Sequence, residues 1–132
     1  MKKLTLLILL MASTNVFAEW TKVNSNIAAG LTVYVDLQSI KKKRNKVRMW
    51  VLWDFKTIQQ SSIGERFLSE VHHNEYDCEE EAYRILNYSM YSGNMVEGNS
   101  VYSSGNLNFE PESIIPGTLN DSSFKAACNI TS

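Results

Sequence analysis

Val47-Arg48-Met49-Trp50-Val51-Leu52-Trp53-Asp54-Phe55 reads as a β-strand. Successive side chains of a strand alternate between its faces. Val47, Met49, Val51, Trp53 and Phe55 therefore share one face, and Arg48, Trp50, Leu52, Asp54 and Lys56 share the other. β-Branched and aromatic residues fit a pleated surface. Apolar groups stand on both faces, so this strand is expected at the centre of a sheet that is covered at least in part on each side.

Upstream, Trp20-Thr21-Lys22-Val23 alternates as a short first strand, and Asn24 to Gly30 is expected to be a loop. Leu31 to Asp36 forms a second strand, after which Asp36 to Ile40 is expected to turn the chain. Lys41-Lys42-Lys43-Arg44-Asn45-Lys46 reads as a basic turn, with Val33 and Val35 pairing with Val47 and Met49 across it. Downstream, Phe67 to Asp77 is a strand leading into Cys78, and Glu79-Glu80-Glu81 interrupts it. Ala82 to Ser92 reads as the next strand; a helix over Glu79 to Leu86 competes with it, because Glu, Ala, Arg and Leu favour helix. Glu97-Gly98-Asn99 is a turn, and a sixth strand is expected near Tyr102. Pro111 and Pro116-Gly117 punctuate the following stretch. Thr118 to Asn129 places Leu119, Phe124, Ala127 and Cys128 near one helical stripe. Many antiparallel strands followed by one helix give an α+β domain: about six strands, with a C-terminal helix packed on one face.

Residues 1–18 have the pattern of an export signal: Lys2 and Lys3, an apolar core from Leu4 to Met11, and Val16-Phe17-Ala18 ending in a small residue. That core is shorter than the roughly 20 residues a membrane span needs. The mature domain is then 19–132, and no membrane span is expected in it. No cysteine stands near Ala18, so the product is expected without a lipid anchor, in the periplasm or at the cell surface. The chain has 13 Lys+Arg and 14 Asp+Glu; removing Lys2 and Lys3 leaves 11 against 14, a net charge of −3. A mildly acidic protein is not built as a whole for nucleic acid.

Cys78 and Cys128 are the two cysteines of the chain, and an oxidising compartment allows them one intramolecular pairing. The rival roles are a reactive thiol or metal ligation. Neither cysteine has a CxxC partner, and two cysteines rarely suffice for zinc. A structural disulfide tethering the helix to the strand before Cys78 is expected, contributing about 3–4 kcal/mol through its long loop.

The sharpest surface feature is Lys41, Lys42, Lys43, Arg44 and Lys46, which offer an anionic partner five positive charges in six residues. The plainer reading is a solvated hairpin tip that keeps a strand edge from aggregating. His72 and His73 are adjacent on a strand and point to opposite faces, so both cannot ligate one ion without a bend. Glu79 to Glu81 lacks the looped ligand spacing of a calcium site. There is no G-x-S-x-G, H-E-x-x-H, P-loop or dinucleotide fingerprint. No catalytic residue, metal or cofactor is expected.

A spaced pattern runs through the chain: Trp20-x-x-Val23, Tyr34-Val35-Asp36-x-x-Ser39-Ile40, Val47-Arg48-Met49-Trp50-Val51-Leu52-x-Asp54-Phe55-Lys56, Tyr76-Asp77-Cys78, Arg84, Tyr91-Ser92, Met95, Gly98, Ile115-Pro116-Gly117-Thr118 and Cys128. In these residues the chain resembles the surface-adhesin protein E family of Gram-negative bacteria. The resemblance implies a six-stranded antiparallel sheet with a disulfide-tied C-terminal helix. It also implies a non-enzymatic binding domain, with a host matrix protein of the vitronectin or laminin class or an envelope component as the expected partner, in a family where dimerisation is known. One departure is Phe109, near where the family carries Trp. The matched residues look like fold residues, so the resemblance does not mark an adhesive surface. The alternative is a periplasmic protein with an envelope housekeeping or structural role and no host ligand.

Overall fold

Six strands hydrogen-bond in the order in which they occur, each antiparallel to its neighbours: β1 (Thr21–Asn26), β2 (Leu31–Lys43), β3 (Lys46–Gln60), β4 (Arg66–Asp77), β5 (Ala82–Tyr91) and β6 (Ser100–Ser104). A two-residue β7 (Glu112–Ser113) pairs with the start of β5. The nine-residue α1 (Leu119–Ala127) follows. The computed structural model describes residues 19–130, and the expected export segment 1–18 lies outside them.

The registers set the two faces. Val35, Val51, His72 and Tyr88 form one row across β2 to β5, and Val47, Tyr76 and Tyr83 form another on the same face. The helix packs there, setting Phe124 and Ala127 into a cluster with Val33, Val35, Met49, Val51 and Tyr76. On the opposite face, Leu52 is 0% exposed. A short 3-10 turn, Asn94–Val96, folds over this face. The Asn94 amide and the Met95 N–H donate to Asp54, at 3.1 and 2.8 Å, and the Val96 N–H donates to Ser69 Oγ at 3.0 Å. Gly98 closes the strap at φ +80°, where a Cβ would collide with Ser92 Oγ. Thus β3 is central, covered by the helix on one side and by the strap over part of the other, as its alternation predicts.

The helix starts where its capping chemistry dictates. Thr118 Oγ1 accepts from the Asp121 N–H at 3.2 Å, and Asp121 Oδ2 accepts from the Gly117 N–H at 2.9 Å. Cys128, at the other end, bonds to Cys78, with the two Cα atoms 5.7 Å apart. The expected disulfide is present.

Several local expectations are corrected. Residues 36–40 do not turn the chain. β2 runs on to Lys43 through a bulge between Asp36 and Lys41. There Ser39 Oγ donates to the Asp36 carbonyl and accepts from the Trp50 N–H at 3.0 Å, so a side chain stands in for a missing ladder partner. The extra length moves the register: Val33 and Val35 face Trp53 and Val51, and Lys42 faces Val47. Residues 24–26 belong to β1 rather than to a loop. The competing helix over Glu79 to Leu86 does not form, because Ala82 to Tyr91 is held between β4 and β6. Tertiary pairing here overrides helix propensity.

Candidate functional site

The basic run is less a turn than the end of a hairpin. Arg44 and Asn45 make the turn, Lys41 to Lys43 lie on β2, and Lys46 opens β3. Arg44 takes φ +57°, a conformation that costs a residue with a Cβ about 1–2 kcal/mol. The turn is clamped to the neighbouring strand: the Cys78 N–H donates to the Asn45 carbonyl at 2.9 Å, and the Asn45 amide donates to Glu79.

Pairing then puts like charges opposite one another. Lys43 faces Lys46, and Lys41 faces Arg48. Such pairs destabilise a sheet. The second pair extends across the open face as a single row, Lys41–Arg48–Glu75–Arg84, through four strands. Glu75 is its pivot, with a side chain 8% exposed. Arg48 Nε donates to one carboxylate oxygen at 3.0 Å, Arg84 Nη2 and Nε donate to the other at 3.0 and 3.1 Å, and Lys46 lies 4.0 Å away. Lys46 also pairs with Asp77 at 3.8 Å. Lys41, Lys42, Lys43 and Arg44 have no ion pair among the described residues.

An open groove of about 710 Å³ runs from the turn to Arg84. Seven cations line it, Lys41, Lys42, Lys43, Arg44, Lys46, Arg48 and Arg84, against two carboxylates, Glu75 and Asp77. One row further along the face, Trp50 and His73 stack with ring centroids 4.4 Å apart. Burial, then Arg48 and Lys41, push the His73 pKa down, so it is neutral at pH 7. His72 points the other way, toward Trp53 and Tyr88, and pairs with Glu70 at 2.8 Å. The two histidines are therefore split between the faces.

Burial alone would raise the Glu75 pKa; the hydrogen bonds and charges of Arg48 and Arg84 outweigh it and hold the carboxyl below its ordinary range. A carboxylate with a depressed folded pKa stabilises the fold above its unfolded pKa, near 4.3, and that contribution is lost as pH falls through the folded value. Stability of the wild type is expected to drop below about pH 4.5. Glu75→Gln is expected to be less stable at pH 7 and to lose less on acidification. Urea midpoints at pH 7 and pH 3 test this, and parallel losses in the two proteins would refute it.

Sequence reading located Lys41 to Lys46 but missed Arg48, Arg84 and Glu75. Arg48 and Lys41 are seven positions apart, and only the register makes them neighbours. The signal available was the alternation of β3, which sets Arg48 on the face opposite Val47, Met49 and Val51.

The sequence profile of the family described as surface-adhesin protein E matches residues 20–129. The chain belongs to this family. The solved structure of Haemophilus influenzae protein E aligns with a TM-score of 0.60, covering 88% of each chain at 13% identity. At that identity the likeness establishes the fold, and this adhesin E domain shares it. A search of curated proteins gives no significant match. In this adhesin E domain Phe109 is 52% exposed and lines a cleft with Tyr83 and Ile85 instead of entering the core. No helix among the described residues is long and apolar enough to cross a membrane.

Proposed function

We propose that this adhesin E domain is exported after loss of residues 1–18, is not an enzyme, and holds an anionic partner against its basic hairpin end. The partner class is a component of the host matrix: a protein such as vitronectin or laminin, or another anionic macromolecule. The observation that carries this reading is the pairing of Lys43 with Lys46 and Lys41 with Arg48. Like charges set opposite one another cost the fold stability, and an anionic ligand would compensate them. Family membership and the absence of any nucleophile motif support a binding role.

The test uses the exported protein and the variant Lys41→Gln/Lys43→Gln/Arg44→Gly. Wild type is expected to bind immobilised laminin or vitronectin more strongly at low salt than at physiological salt, where the Debye length is about 8 Å. The variant is expected to lose about tenfold or more in affinity. Its urea midpoint is expected to be unchanged or higher, because two repulsive pairs and a left-handed arginine are relieved. No binding above an unrelated acidic control refutes the reading, as does protection of the native protein from external protease on intact cells.

A further inference from the structure

We propose that the ligand of this face is an acidic polysaccharide lying across the open side of the sheet from the β2–β3 turn past Arg48 and Arg84; this rests on the binding role above and names its chemistry. The groove at the turn is lined by charged side chains and one amide, with no apolar residue among them. Peptide partners draw most of their affinity from aromatic or aliphatic anchors seated in desolvated pockets. The groove at the turn offers such an anchor only the stems of its charged side chains; the apolar cleft of Tyr83, Ile85 and Phe109 lies past Arg84. A polymer whose contacts are all polar fits this groove.

Beyond Arg48 and Arg84, which line both, the groove passes into a second hollow of about 380 Å³. Its polar lining there changes from cations to the amides of Asn87, Asn106 and Asn108, beside His73. Each amide is both donor and acceptor, which suits a hydroxyl; a carboxylate uses only donors. A surface that presents cations and then neutral amides matches a chain whose sugars carry an acid group and several hydroxyls. A polymer with a charge at every repeat brings anionic groups into this second hollow, where Arg48 and Arg84 are the cations among the lining residues.

The site is also ordered in advance. Glu75 fixes the Arg48 and Arg84 guanidinium groups, at 3.0 to 3.1 Å, while Lys41 and Lys43 have no ion pair among the described residues. Ordering before binding reduces the entropy lost on binding. Glu75 and Asp77 lie in the groove and oppose an anion; both are neutralised locally by Arg48, Arg84 and Lys46. A single-stranded nucleic acid would need open aromatic faces for its bases. Trp50 and His73 stack on each other with an interplanar angle of 13°, so no base can enter between them.

The experiment titrates the exported protein with a size-defined hyaluronan oligosaccharide, which carries one carboxylate per disaccharide, and with a polyglutamate and an oligo-dT of equal charge, in physiological salt. The oligosaccharide is expected to bind tightest. The variant Asn106→Gly/Asn108→Ala changes no charge, and glycine keeps the φ of +54° at position 106. It is expected to lose about five- to tenfold for the oligosaccharide and less than about twofold for polyglutamate. Arg84→Gln is expected to weaken both. Equal or tighter binding of polyglutamate or oligo-dT overturns the proposal, as does an amide variant that binds the oligosaccharide like wild type. Laminin binding that depends on Lys41 and Lys43, without oligosaccharide binding, overturns the ligand class and leaves the adhesin role standing. If nothing binds, both fall.

Discussion

Replacing Cys78 and Cys128 together by serine is expected to lower the unfolding free energy by about 4 kcal/mol, the loop-closure value for a crosslink of this span. Cys78 follows the last residue of β4, and Cys128 caps the C-terminal end of α1. The closed loop holds β5, β6, β7 and the helix. A nine-residue helix is too short to persist alone, so its stability comes from docking. Without the bond, the unfolded chain regains the freedom of the whole loop, and the helix is held only by its packing. Because the Cys78 N–H also bonds to Asn45, the same change is expected to loosen the basic turn. Urea unfolding of oxidised wild type and of the double variant measures the loss. A midpoint shift of less than about 0.5 kcal/mol equivalent would rule out the bond as a main support of the fold.

Phe124→Ala is expected to cost about 3–5 kcal/mol, the range for removing a buried aromatic from a core. Phe124 is 3% exposed and lies with its ring centroid 6.3 Å from that of Tyr76, the largest fully buried side chain. Truncation leaves a cavity lined by strands that cannot close, since the sheet holds Val35, Met49 and Val51 in register. Asn74 and Tyr76 make the region less tolerant still: the Asn74 amide donates to the Tyr76 hydroxyl at 3.0 Å, while Asn74 Oδ1 has no hydrogen-bond partner among the described residues. Burial pushes the Tyr76 pKa up, so its hydroxyl stays protonated and available at neutral pH. Ile115→Ala is the control. That residue is 66% exposed, and a change within about 0.5 kcal/mol is expected. Equal effects of the two substitutions would mean that the helix is not docked through Phe124.

The strands were largely legible because alternation is a local property. Val47 to Phe55 announced a central strand, and Cys128 placed beside Phe124 and Ala127 announced the docked helix. What local reading missed depends on register. Ser39 supports a bulge only because it meets the Trp50 N–H eleven residues later, and without that bulge Val35 would pair with a different residue. Part of the candidate site was hidden for the same reason. Lys41 to Lys46 stand together in sequence, whereas Arg48, Glu75 and Arg84 meet only after two strand pairings. β7 has two residues and no periodicity that could have revealed it.

The order of the strands carries a consequence for how the molecule assembles. Apart from the two-residue β7, which returns to β5, every sheet pairing joins strands adjacent in sequence, so each hairpin can form as soon as its second strand is available, with little loop entropy to overcome. The helix makes the longest return. It returns to the first strand, where the Asn24 amide donates to Ser122 Oγ at 2.7 Å across 98 positions. A chain delivered from its N-terminus can thus build the meander strand by strand, but one side of that sheet stays bare until α1 arrives. Oxidation of Cys78 by the correct partner must wait for the same moment, which makes the last helix the step that closes the core and completes the covalent structure together.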